Sequence, residues 1–286
     1  RDCTGRDYSF GGSEALLMRQ PLPPVVLVLA GHDPTGGAGL VADSEAIAAC
    51  GGWAVTIPTA MTVQNCHNVS RVMPADPGAM RQMAEAVGDM QIAAIKLGLL
   101  ADEATLRAAE QIICRFPGVP VVADPVLKAG GGTMLSTEAL QMLYRDRLLP
   151  LVDILTPNRF ELAALTPEIH EPYDDTARAV SLLSQGCQAV LVTATDDPLP
   201  GTAQQVVHTL HSPDTTRQWQ WPRLPEVFHG SGCTLASALA ARLAVGERLP
   251  TACEQAQHFT WESLSHGYQP PSGQCLPNRL PRPVRF

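Results

Sequence analysis

No apolar run in this chain approaches the ~18 residues that a membrane-spanning helix requires. The candidate nearest the start, PPVVLVLAGHDP, has the length of a strand and stops at Gly31. Also missing is the basic-then-apolar order of a secretory signal in RDCTGRDYSFGGSEALLMRQPLP, residues 1–23. That stretch is read as an N-terminal extension without a catalytic role, ahead of one domain over residues 24–286. None of the eight cysteines stands in a C-x-x-C pair, so the usual metal-site spacing is absent. They are scattered through mostly apolar stretches, which reads as the reduced thiols of a cytoplasmic protein rather than a disulfide framework. Excess positive charge is lacking as well. A net charge of -8 argues against a general nucleic-acid binder and leaves room only for a local basic pocket around a phosphate.

What the chain does have is core. Hydrophobic residues make up 45% and charged residues 17%, a balance that supports a large folded interior. Apolar strand-like runs alternate with helix-period segments. Strands are predicted at Val25–Ala30, Trp53–Ala60, Ala93–Gly98, Pro120–Asp124, Val152–Thr156 and Ala189–Thr193. Helices are predicted at Ala38–Cys50, Pro77–Met90, Asp102–Arg115, Thr137–Tyr144 and Thr176–Gln185. Such alternation predicts an α/β domain of parallel βαβ units with helices on both faces. Gln205–Leu210 and Thr216–Trp221 read as an edge hairpin across the turn-rich HSPD. Helices at Gly232–Val245 and Leu249–Leu264 close the core, and the Pro-rich end from Gln269 to Phe286 reads as irregular cover.

In open α/β sheets ligands sit beyond the carboxyl ends of the strands. Five stretches at those ends stand out. Gly31 opens GHDPTGGAG, whose glycines permit close backbone approach, and Asp43 follows about one turn into the next helix. Thr62 and Gln64 lie in MTVQN, where the Gln64 amide offers donors and an acceptor for a heterocycle edge. In DPVLKAGGG, Asp124 precedes Val126, Lys128 and three glycines, a set suited to Mg²⁺ and phosphate together. In TPNRFE, Asn158 and Glu161 fall one turn apart, which suits either a hydrated Mg²⁺ or an ordinary helix cap. Finally Gly230, Ser231 and Gly232 lead into a helix carrying Cys233. Their N–H groups would converge on an anion, and the helix terminus would leave Cys233 partly ionised.

With these stretches in order, the chain resembles the hydroxymethylpyrimidine/phosphomethylpyrimidine kinases of thiamine biosynthesis, in the ribokinase superfamily. The matching segments are AGHDPTGGAGLVAD, MTVQN, KLGLLA, DPVLKAGGG, LLPLVDILTPNRFE and HGSGCTLASALAARLA, spanning about Val25 to Leu264. The resemblance implies a ribokinase-like three-layer sandwich around a mostly parallel sheet. It implies ATP as co-substrate, Mg²⁺, and the hydroxymethylpyrimidine and its monophosphate as substrates, in a homodimer. By the same resemblance, Gly31, Asp43 and Gln64 hold the aminopyrimidine, and Thr62, Leu99 and Val126 line its pocket. Asp124, Asn158 and Glu161 surround Mg²⁺ and the ATP phosphates. Gly230 to Cys233 form the anion hole, with Cys233 nearest the hydroxymethyl oxygen as a candidate base.

One segment departs from that family's pattern. After Ala189–Val192, where a lysine- or glycine-rich stretch is usual, the chain reads Thr193-Ala194-Thr195-Asp196-Asp197. Lys128 is then expected to supply positive charge, and Thr193 or Thr195 a hydroxyl contact. The segment is similar to that of pyridoxal kinases, which keeps a pyridoxal kinase as the second reading. A catalytically weak pyrimidine sensor is the third.

Overall fold

The computed structural model describes residues 20–171, 174–195 and 204–280. The chain runs β1 (Val25–His32), α1 (Gly39–Ala49), β2 (Trp53–Gln64), β3 (Val69–Pro74), α2 (Pro77–Ala86), β4 (Ile92–Leu97) and α3 (Glu103–Ile113). It continues with β5 (Val121–Ala123), α4 (Glu138–Leu143), β6 (Ile154–Leu155), α5 (Arg159–Ala164), α6 (Asp175–Ser184) and β7 (Ala189–Thr193). The hairpin β8 (Gln205–Ser212) and β9 (Thr215–Pro222) follows, then α7 (Ser231–Ala244) and α8 (Leu249–Ser265). A wide π turn at Tyr144–Leu148 extends α4.

All nine strands share one sheet in the order β3-β2-β1-β4-β5-β6-β7-β8-β9. The six from β2 to β7 are parallel, while β3, β8 and β9 pair antiparallel at the two edges. The three layers follow from alternation along the strands. In β1, Val25, Leu27 and Leu29 face a cluster that includes Met80 of α2, Ile112 of α3 and Leu182 of α6. Val26, Val28 and Ala30 face the opposite cluster, with Ile47 of α1, Leu239 of α7 and Ala256 of α8. Both faces of a parallel sheet must be covered, hence a strand apolar at every position. Each fully buried aliphatic side chain contributes about 1.5–3 kcal/mol.

Local signals place the helix starts. Asp102 caps α3, accepting from Thr105 N, and Thr137 caps α4 in the same way. Two expectations need correction. The strand predicted to stop at Ala60 runs on to Gln64, so Thr62 and Gln64 belong to β2 rather than to a loop. Its partner β3 was not anticipated, because an edge strand with Ser70 and Arg71 exposed carries little apolar alternation. Nor is the carboxyl-terminal stretch mere cover: Tyr268 pairs with Leu276, Phe228 pairs with Cys275, and Arg279 is buried. Among the described residues no helix is long and apolar enough to cross a membrane.

Candidate active site

The parallel strands all end on one side, and a cavity of about 200 Å³ opens there. Gly31 comes from the end of β1, Thr62 and Gln64 from β2, Leu99 from just past β4, Asp124 and Val126 from just past β5, and Asn158 and Glu161 from the start of α5. Lys128, Thr193 and the Gly230–Cys233 turn complete its wall. The structure thus brings every sequence-predicted site residue but one to a single cavity. Val126 is held there at φ 45°, a backbone region costly for a β-branched residue and typical of sites where function fixes the chain. Gln64 is oriented by its amide donating to Thr62 Oγ1 at 2.7 Å, and Thr62 in turn donates to the His32 carbonyl at 2.8 Å.

The exception is Asp43. It lies beneath the cavity, fully buried, with Oδ1 bound by Lys96 Nζ at 2.8 Å and by Ser237 Oγ at 2.7 Å. Asp43 meets the cavity wall only through Lys96, which does line the cavity. Burial works against the Lys96 ammonium. The Asp43 carboxylate, with Cys233 and Asp124 beyond it, outweighs burial and holds the lysine pKa above its ordinary value. Lys96 and Lys128 are the two lysines of the sequence, and both line this cavity. Lys128 places its ammonium 4.9 Å from the centroid of the Phe160 ring.

Asn158 and Glu161 take up the helix-cap arrangement that the sequence allowed. They form a capping box: Glu161 N donates to Asn158 Oδ1 at 2.9 Å and Asn158 N to Glu161 Oε2 at 3.1 Å. Leu127 N donates to Glu161 Oε1 at 3.1 Å, tying the β5 loop to α5. Both capping residues still face the cavity. Thr193 is drawn into β-type pairing with Asn158, its hydroxyl toward the Pro157 carbonyl at 3.4 Å. Asp196 and Asp197 lie outside the described residues. Beside this segment Arg223, from the end of β9, donates to the Thr195 carbonyl at 3.0 Å, a cation that sequence reading did not assign.

The Gly230–Cys233 turn is built by close approach of two loops. Gly230 has φ 76°, and a Cβ on it would collide with the Gly37 carbonyl, so only glycine closes this corner. His229 Nε2 meets Asp33 Oδ2 at 2.7 Å, and Asp33 also accepts from Thr35 N and Ala38 N at 2.9 and 2.8 Å. Burial alone would raise the Asp33 pKa, but these donors bring it below the ordinary value. From the other side Arg279 donates to the Gly36 and Gly37 carbonyls, to Thr234 Oγ1 and to Glu45. Asp33, His229, Lys96 and Arg279 were missed by sequence reading. The readable signal was charge inside apolar runs, as with Lys96 in IAAIKL.

The thiol differs from expectation. Burial pushes Cys233 up to about 12, with Lys96 opposing and Asp124 and Asp43 reinforcing the rise. The helix terminus does not overcome this, and the group is a protonated thiol at neutral pH. Asp124 is itself pushed up to about 6 by burial, against the pull of Lys96.

A second cavity of about 430 Å³ adjoins the first and shares Gly130, Thr156, Asn158, Thr193, Thr195, Phe228, Ser231 and Gly232 with it. It is walled by Val206, Trp221, Leu224, Trp261 and Leu264, with His208, Arg223, Glu226, Gln257, Thr260 and Gln274 among its polar groups. The amino end of α7 therefore stands between a small polar cavity and a larger aromatic one.

The family model described as phosphomethylpyrimidine kinase matches residues 33–278. The chain is 32% identical to the hydroxymethylpyrimidine/phosphomethylpyrimidine kinase of Streptomyces coelicolor over 86% of its own length and 90% of that protein. It is 33% identical to the chloroplastic thiamine biosynthetic bifunctional enzyme of Arabidopsis thaliana over 85% of its length, and spans 47% of that relative. The solved ADP complex of Bacillus subtilis pyridoxal kinase has the same fold, with a TM-score of 0.80, 24% identity, and coverage of 90% of this chain and 97% of that one.

Proposed function

The chain belongs to the phosphomethylpyrimidine kinase family, and on that premise we propose that it phosphorylates 4-amino-5-hydroxymethyl-2-methylpyrimidine with ATP. The monophosphate then takes a second phosphoryl group to give the diphosphate, for thiamine biosynthesis. The observation that carries this reading is the position of Ser231 and Gly232, at the amino end of α7, in the walls of both cavities. A phosphoryl donor in the aromatic cavity would direct its terminal phosphate at the α7 amino end, and the pyrimidine alcohol would approach from the polar cavity.

Gln64 and the Lys96 ammonium offer hydrogen-bonding groups to an aminopyrimidine, with Thr62, Leu99 and Val126 around its ring. The hydroxymethyl oxygen forms its bond to the γ-phosphorus as the bond to the bridging oxygen breaks and ADP leaves. Cys233 keeps its proton and shapes the floor. Asp124 is ionised above about pH 6, as a cation ligand must be. A loose transition state asks little of a general base.

Mg²⁺ fits the donors present. Among the described residues no group of three or more His, Cys, Asp or Glu side chains forms a metal cage. Asp124 and Glu161 instead offer the two carboxylates that Mg²⁺ needs when waters and phosphate oxygens fill its remaining positions. These two residues would hold it, and it would supply neutralisation of phosphate charge. A homodimer in the cytoplasm completes the reading.

The test is a coupled assay of ADP release with hydroxymethylpyrimidine, its monophosphate and pyridoxal in parallel. Turnover on both pyrimidines supports the proposal. Faster turnover on pyridoxal would replace it with the pyridoxal kinase reading. Tight pyrimidine binding without turnover would make the protein a sensor.

A further inference from the structure

Three basic side chains line the small polar cavity: Lys96, Lys128 and His229. Two of them are already matched to carboxylates. Lys96 Nζ lies 2.8 Å from Asp43 Oδ1, and His229 Nε2 lies 2.7 Å from Asp33 Oδ2. Among the described residues Lys128 has no carboxylate partner, and its ammonium rests 4.9 Å from the centroid of the Phe160 ring. At an exposed position such a ring contact is weak, and a phosphate oxygen is the better partner for an ammonium.

The backbone around Lys128 is held on both sides. Leu127 N donates to Glu161 Oε1 at 3.1 Å, and Leu135 N donates to the Leu127 carbonyl at 2.9 Å. Beyond it Ala129 N donates to the Thr133 carbonyl at 2.8 Å, and Lys128 itself pairs with Met134. Lys128 therefore starts a loop whose neck is tied to α5, while its own side chain is exposed. A four-carbon stem lets the ammonium exchange the ring for another partner without moving that neck.

The acidic side of the cavity gives this cation its use. Asp124 and Glu161 both line the cavity. A pyrimidine alcohol meets these carboxylates without a charge of its own. Its monophosphate brings a charge of about −1.5 to −2 at neutral pH into the same space. We infer that Lys128 selects the phosphorylated substrate: its ammonium leaves the Phe160 ring and pairs with the phosphate of the pyrimidine monophosphate, so that the second phosphoryl transfer depends on it and the first does not. The inference rests on the kinase reading above for the identity of the two substrates. In the second transfer an oxygen of the substrate phosphate forms its bond to the γ-phosphorus as the bond to the bridging oxygen breaks and ADP leaves. An ionised phosphate oxygen has no proton to give up. What the step asks of the chain is a counter-charge, which Lys128 supplies while keeping its own proton.

Calorimetric titrations of the whole chain with hydroxymethylpyrimidine, its monophosphate and ATP, each alone and at low and high salt, test this. Lys128→Met should weaken monophosphate binding about 10- to 100-fold and change alcohol and ATP binding by less than about 3-fold. Lys128→Arg, which keeps the charge, should retain most of the monophosphate affinity. High salt should weaken monophosphate binding to the unaltered protein, and that salt dependence should shrink in Lys128→Met. In steady-state assays the ratio of kcat/KM for the monophosphate to that for the alcohol should fall by the same factor as the binding. Equal losses on the alcohol and the monophosphate in Lys128→Met would overturn the inference, and so would a loss confined to ATP. Unchanged monophosphate binding in a folded Lys128→Met protein would overturn it directly. Lysine-dependent monophosphate binding with no phosphoryl transfer would instead defeat the kinase reading and leave the phosphate selection standing.

Discussion

Lys96 Nζ lies 2.8 Å from Asp43 Oδ1, and neither side chain has any exposed surface. The pair spans the sandwich, since Lys96 ends β4 and Asp43 stands on α1. Ser237 from α7 donates to the same oxygen, so three elements meet at this carboxylate. Such a pair is costly to halve and cheap to remove whole.

Lys96→Met should therefore cost about 3–5 kcal/mol of unfolding free energy, because it strands a buried carboxylate. The double variant Lys96→Met/Asp43→Asn should recover most of that loss while still binding the pyrimidine poorly. Urea unfolding and pyrimidine calorimetry on both variants measure this. Additive losses in the double variant would show that the two charges do not depend on each other.

The pair also marks how far the sequence could be read. Strand and helix order followed from alternating apolar runs, and the site residues from glycines and polar groups at strand ends. Asp43 stood out as a candidate but was not legible as buried, since its partner lies 53 positions away. Periodicity within one helix says nothing of what a neighbouring strand brings to it. His229 and Asp33, 196 positions apart, escaped for the same reason. β3 escaped because edge strands lack the signal that burial imposes. The aromatic cavity was missed because Val206, Trp221 and Trp261 come from three elements, each with an ordinary pattern of its own.

Asp124 and Cys233 predict a pH dependence. With its folded pKa near 6, Asp124 binds its proton more tightly in the fold than in the unfolded chain. It therefore lowers stability as pH rises from about 4 through 6, and the penalty is fully present at neutral pH. Asp124→Asn should abolish turnover yet raise stability at pH 7.5 by about 1–3 kcal/mol. Differential scanning calorimetry across pH checks the second point, and a less stable Asp124→Asn protein at pH 7.5 would contradict it. Cys233, near 12, should resist iodoacetamide at pH 7.5, and Cys233→Ser should retain most activity. Rapid alkylation with loss of turnover would return Cys233 to the role of base.

Arg279 predicts how the carboxyl-terminal segment serves the site. Its guanidinium reaches Thr234 Oγ1 at 2.8 Å and Glu45 at 3.2 Å, and it holds the carbonyls of Gly36 and Gly37. Gly37 is also the residue whose carbonyl sets the Gly230 corner. One planar fork thus fixes the β1–α1 loop against the amino end of α7. A lysine has a single nitrogen and cannot span these acceptors. Arg279→Lys should lower kcat at least about 10-fold through a misplaced α7 amino end, while pyrimidine affinity, assigned in the proposed function to Gln64 and Lys96, changes little. Arg279→Ala should do the same and also cost about 2–4 kcal/mol, since it leaves buried acceptors unmet. Steady-state kinetics with pyrimidine calorimetry separate the effects. If Arg279→Lys weakened pyrimidine binding in proportion to kcat, the clamp would act on the fold as a whole rather than on the phosphate end of the site.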